Sequence, residues 1–167
     1  MKGSAKLAAA LFLFGLATTV VVVEPEGKGP ARREPSAAGI RAADFTLPSV
    51  GGAPVSLDRF AGKTPVLLFF WATWCPHCES AVPAVKKLHA DPAKLAVLAL
   101  DYMESPEKVA AYVKSREIDY PVLLDRNGAV AREYKVVGVP TYIVIGKDGT
   151  VAYRDHVLPP DIGKYLD

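Results

Sequence analysis

The sequence predicts an α/β domain in which a mixed sheet is covered on both faces by helices. Three observations carry that expectation. Beyond Asp44, apolar runs short enough for strands alternate with segments of helical periodicity. The last two strand-like runs, residues 141–145 and 150–154, flank the turn Gly146-Lys147-Asp148-Gly149, so they close as a hairpin and not through another helix. Fourteen prolines and thirteen glycines among 167 residues exclude a coiled coil or a plain helical bundle, where such breakers are costly. That length allows one domain with a full core, not two.

Taken in order, the chain opens with the basic stretch MKGSAK and an uncharged run, residues 7–23. The run reads as the apolar region of a signal peptide or as a short membrane anchor. Its seventeen residues make about 26 Å of helix, slightly short of a bilayer core near ~30 Å. A small-x-small site at Gly15-Leu16-Ala17 is overrun by apolar residues as far as Val23, which favours an anchor that is not cleaved. No cysteine stands near the end of the run, so lipoprotein processing is excluded. With Lys2 and Lys6 held inside, the rest of the chain lies on the extracytoplasmic, periplasmic side. Residues 24–43 carry Pro25, Pro30 and Pro35 among Gly, Glu, Arg and Ser, and read as a flexible linker. The folded domain is then expected over residues 44–167.

Within it, residues 45–47 and 55–57 flank a turn-rich stretch and predict an N-terminal β-hairpin. VLLFFW, residues 66–71, is apolar throughout, as suits a central strand buried on both faces. A helix should start just after Cys75 and kink at Pro83. LAVLAL, residues 95–100, is the next buried strand. Ser105 then caps a helix through Glu117, with Pro106 at its first position. A short strand at 122–124, a short helix at 129–134 and a closing helix at 158–166 complete the expected order.

Charge bears on function. The chain has 20 basic and 18 acidic side chains, and without Lys2 and Lys6 the two counts are equal. Such balance argues against nucleic-acid binding, which needs a concentrated positive face.

Chemistry concentrates in Trp71-Ala72-Thr73-Trp74-Cys75-Pro76-His77-Cys78, where a buried strand meets a helix N-terminus. The only two cysteines lie three apart and can close a small disulfide ring. Cys75 is expected at the N-cap, where free backbone N–H groups and the helix dipole stabilise a thiolate. Pro76 suits the first helical position, and a charged His77 would further favour the Cys75 thiolate. Cys78, one turn in, is expected to be more buried and to resolve a mixed disulfide formed by Cys75. Half of a zinc site and a purely structural disulfide are the alternatives, but no second Cys pair is present and so small a ring is a poor staple. His89 and His156 read as exposed helix and loop residues away from this site. No cofactor or metal is called for beyond the redox-active Cys75–Cys78 pair.

FWATWCPHC, Pro83 five residues after Cys78, and the late Gly138-Val139-Pro140-Thr141 together resemble thioredoxin. Asp44-Phe45-Thr46-Leu47, Leu57 and Gly62-Lys63 resemble more narrowly the TlpA/ResA group of exported thioredoxin-like proteins. The resemblance spans Asp44 to about Tyr153. It implies a thioredoxin-like fold, a central mixed sheet flanked by helices with the N-terminal hairpin added. It also implies that Pro140 is a cis-proline facing the disulfide, and that Val139 and the rim residue Trp74 line a surface for protein substrates.

Two departures matter. Thioredoxins carry a buried acid six residues before the first cysteine, and Phe69 stands there, so Glu79, Glu104 or water must relay the proton for Cys78. The Pro76-His77 dipeptide is similar to that of strongly oxidising DsbA-type proteins. The TlpA/ResA-like frame implies an exported reductant, as in cytochrome c maturation, exchanging electrons with a membrane or periplasmic partner. A DsbA-like oxidase and a Cu(I)-binding module using Cys75, Cys78 and His77 are the competing readings. A peroxidase is disfavoured because Ala72 stands three before Cys75, where peroxiredoxins carry a different residue.

Overall fold

The computed structural model describes residues 39–166. The apolar run 7–23 and the linker as far as residue 38 lie outside the described residues. β1 (Thr46–Pro48) and β2 (Pro54–Ser56) pair antiparallel as the expected hairpin. β3 (Val66–Trp71), β4 (Ala96–Tyr102), β5 (Val122–Asp125), β6 (Thr141–Ile145) and β7 (Val151–Asp155) form a second sheet. Its strand order is β5-β4-β3-β6-β7. β3, β4 and β5 run parallel, whereas β6 is antiparallel to both β3 and β7.

The unbroken apolar sequence of β3 follows from its central place, since all six residues are buried. α1 (Pro76–His89) leads from β3 to β4, and α2 (Pro106–Ser115) leads from β4 to β5. Both crossovers step the same way across the sheet, so a shared right hand puts both helices on one face. There Leu67, Phe69 and Trp71 pack with Cys78 and Val85 of α1 and Val109 of α2. On the other face Leu68 and Phe70 meet Phe45 and the short α3 (Ala129–Glu133) with its neighbour Tyr134. Alternate residues of one strand thus serve two cores.

Three expectations need correction. The closing helix over 158–166 is only a 3-10 turn, Ile162–Tyr165. Pro159 and Pro160 cannot donate to a helical ladder, and Gly163 weakens what remains. The helix expected to reach Glu117 ends at Ser115, and Glu117 takes a left-handed φ of 50°. The linker does not extend to residue 43. Ala42 N–H donates to Gly149 O, and Val151 N–H to Ile40 O, each at 2.9 Å. The free backbone edge beside the last hairpin recruits the incoming segment. That segment continues to Ser49, which bridges Leu123 on the opposite sheet edge. Pro83 sits within α1 on its exposed side without ending it.

Candidate active site

β3 delivers the chain to the site. Trp71 is buried, Ala72 and Thr73 turn away from the sheet, and Cys75 takes an extended conformation as the N-cap of α1. The Cys78 N–H donates to Cys75 Sγ at 3.1 Å, and Pro76 fills the first helical position. The two cysteines form a disulfide. Cys75 keeps 5% of its surface and Cys78 none, so the first cysteine is the more accessible of the two. His77 is exposed on the first turn, and Trp74 stands at the rim with 60% exposed.

A second loop faces the disulfide. Its Val139–Pro140 peptide is cis, and Val139 O lies 3.7 Å from Cys75 Sγ. The Thr141 hydroxyl donates to Gly138 O at 2.7 Å and ties the loop to the start of β6. Trp74, Tyr102 and residues 136–139 line a groove along this loop.

The sequence left the proton relay open among Glu79, Glu104 and water, and the two carboxylates have different surroundings. Glu79 is exposed and committed to an ion pair with Arg116 beyond α2. Glu104 turns toward the site: it accepts from Thr73 N–H at 2.6 Å and from the Thr73 hydroxyl at 2.7 Å, and it pairs with Lys108. Burial opposes its charge, but Lys108 and the two Thr73 donors outweigh it and hold the carboxyl below its ordinary range.

Behind Glu104 lies a residue that sequence reasoning missed. Asp101 is fully buried near the end of β4, in register with Trp71. Met103 takes a left-handed φ of 62°, which swings the Glu104 N–H back onto Asp101 Oδ1 at 3.2 Å. Burial first, then the adjoining Glu104 carboxylate, push the Asp101 carboxyl well above the usual carboxylate range. The two neighbouring carboxyls are thus pushed in opposite directions, Glu104 toward its charged form and Asp101 toward its neutral one. The available signal was a lone acid directly after the apolar LAVLAL. His156 was also misjudged. Its exposed ring reaches the second loop, with Nδ1 2.7 Å from Pro140 O.

A disulfide held between a helix N-terminus and an exposed backbone loop can pass two electrons to or from another dithiol. On this sheet it defines a thioredoxin-like thiol–disulfide oxidoreductase. Comparison with known proteins narrows the class: residues 38–154 match the AhpC/TSA family model, and the chain belongs to that family. It is 37% identical over 117 residues to the thioredoxin-like protein YneN of Bacillus subtilis (strain 168), covering 68% of each chain. It is 32% identical over 123 residues to the thiol-disulfide oxidoreductase ResA of Bacillus cereus (strain ATCC 10987 / NRS 248), covering 72% of this chain and 70% of that one. The crystal structure of a putative thiol:disulfide interchange protein DsbE from Chlorobium tepidum superposes with a TM-score of 0.67 at 28% identity, over 74% of this chain and 87% of the other. The activity is thiol–disulfide exchange with protein thiols and disulfides.

Proposed function

We propose that the protein is an exported, membrane-tethered reductant of other exported disulfides, apocytochrome c among the candidate substrates. In this reading the Cys75 thiolate attacks a partner disulfide and expels one partner thiolate. Cys78 then attacks the Cys75 sulfur of the mixed disulfide, closing the Cys75–Cys78 bond and expelling the second thiolate. Two electrons have passed to the partner, and the protons of Cys75 and Cys78 end on its thiols. A membrane or periplasmic dithiol restores the reduced form.

The observation that carries the division of roles is the N-cap geometry. Only Cys75 has surface exposed, and its sulfur accepts a helix N-terminal N–H. Cys78→Ser should therefore accumulate mixed disulfides with partners on a non-reducing gel, and Cys75→Ser should accumulate none. The opposite pattern refutes the assignment. For the proton we assign Glu104 with Asp101 behind it, in place of the acid absent at Phe69; Glu79 is left out because Arg116 holds it.

The tether reading rests on the apolar run behind Lys2 and Lys6. A reporter fused after Asp167 that works only once exported should give signal, and a signal from a cytoplasm-only reporter in its place sinks the reading. The Pro76-His77 dipeptide supports a second reading, a disulfide-forming oxidase. The reduction potential separates the two: a reductant belongs below about −200 mV, an oxidase near about −120 mV.

A further inference from the structure

Partners of the proposed site must dock against the loop facing Cys75, so what holds that loop in shape bears on recognition. Three carbonyls point out of it in succession. Gly138 O is taken by the Thr141 hydroxyl, and Pro140 O lies 2.7 Å from His156 Nδ1. Between them Val139 is half-buried. Among the described residues no backbone group pairs with its N–H or C=O, and its oxygen meets only the Cys75 sulfur. A carbonyl only accepts, so His156 Nδ1 must carry a hydrogen. The Thr141 hydroxyl, 3.2 Å from the same nitrogen, has already given its own hydrogen to Gly138 O and can accept as well.

How the ring arrives there is equally plain. Asp155 ends β7 in register with Tyr142, one residue past the loop's anchor Thr141. Its Oδ1 accepts from His156 N–H at 2.6 Å and from Val157 N–H at 3.3 Å, which forms a tight turn just beyond the strand. That turn folds the imidazole back over the cis-proline loop, where a Cβ on Gly138 would stand 4.0 Å from His156 Cε1.

We propose that His156 is a positioning residue for partner docking. By holding Pro140 O, while Thr141 holds Gly138 O, it leaves the Val139 backbone between them unpaired and open to an extended partner segment carrying the cysteine. Chain segments dock more tightly on an edge that is already ordered, because the ordering entropy is spent before the encounter. The proposal rests on the oxidoreductase reading above and adds a specificity element to it.

The test uses the full chain, recycled by dithiothreitol, with insulin as a protein disulfide substrate and steady-state kinetics as the readout. His156→Ala should raise KM for insulin about fivefold, the effect of one net hydrogen bond, with kcat within about twofold. His156→Asn places an amide N–H where Nδ1 stood and should bring KM back to within about twofold of wild type. An unchanged KM in His156→Ala overturns the proposal. So does a KM in His156→Asn as high as that of the alanine variant, or a loss that falls wholly in kcat. Wild-type protein that fails to reduce insulin would instead overturn the reductant reading, so the two failures are distinguishable.

Discussion

The two loops that meet at the disulfide are held by opposite chemistry. Thr73, two residues before Cys75, is gripped by a buried, ionised Glu104 that is itself backed by Asp101 and Lys108. The facing loop is gripped by a buried hydroxyl, from Thr141, and an exposed imidazole, from His156. Hydrogen bonds to a carboxylate are the stronger kind, whereas ordinary ones contribute only about 0.5–1.5 kcal/mol each. The difference matches the tasks. The cysteine-bearing loop must keep its geometry while a sulfur beside it changes charge. The docking loop must present a backbone edge that partners can take up and release.

The largest expected effect comes from breaking the stronger grip. Glu104→Ala removes both Thr73 bonds and the Lys108 ion pair, and should cost about 2–4 kcal/mol in urea unfolding at neutral pH. Glu104→Gln keeps the shape and one acceptor and should recover about half of that loss. Equal stability of wild type and the alanine variant would erase the contrast between the loops.

Next comes Asp101→Asn, which sharpens the same contrast through pH. The Asp101 carboxyl is pushed from 3.8 up to about 8 by burial and then by Glu104. The folded protein thus keeps a proton that the unfolded chain releases across that window. This contribution to stability is whole below the lower value and fades as pH rises toward the upper one. The Asn variant lacks the titration, so its stability relative to wild type should climb between pH 4 and pH 8, by up to about 1.4 kcal/mol per pH unit. A pH-independent difference would mean that Asp101 ionises normally.

His77→Ala tests the exposed turn between the two grips. Losing a polar ring N–H beside the helix N-terminus disfavours the Cys75 thiolate and hence the reduced form. The potential should fall by about 30–60 mV, the equivalent of roughly 1.4–2.8 kcal/mol. No change would make His77 a solvated helix residue. The smallest effect on redox poise is expected for Val139→Thr, whose side chain meets partners by packing alone. Its potential should stay within about 10 mV of wild type while the preference between two protein substrates shifts.

What was legible in the sequence was local. VLLFFW followed by Cys75-Pro76 places strand, cap and helix within a dozen residues, and each step has its own signal. Ser105-Pro106 marks the start of α2 in the same way, with the Ser105 hydroxyl accepting from Lys108 N–H. The residues that were missed depend on register between distant segments. Asp101 becomes buried because β4 lies beside Trp71, and His156 reaches Pro140 because β6 and β7 pair as they do. Glu79 is next to Cys78 in sequence but faces elsewhere. One position after Cys78 on a helix is a turn of about 100° around the axis, enough to aim it at Arg116. The tail from Leu158 has the spacing of a helix, but two prolines and a glycine set the outcome.

The segment from Ile40 to Ser49 has a consequence for how the molecule is assembled. It touches the turn before β7 at one end and β5 at the other, the two lateral strands of the sheet. Along the way it seats Phe45 in the core and gives Ala43 O to the Tyr134 hydroxyl. Arg41 and Thr150 are partners separated by most of the domain, so this closure requires the C-terminal hairpin to exist first. Until then Ile40 O and Ala42 N–H lack the partners they have on Val151 and Gly149, so the N-terminal segment is fastened at this edge only after the hairpin forms.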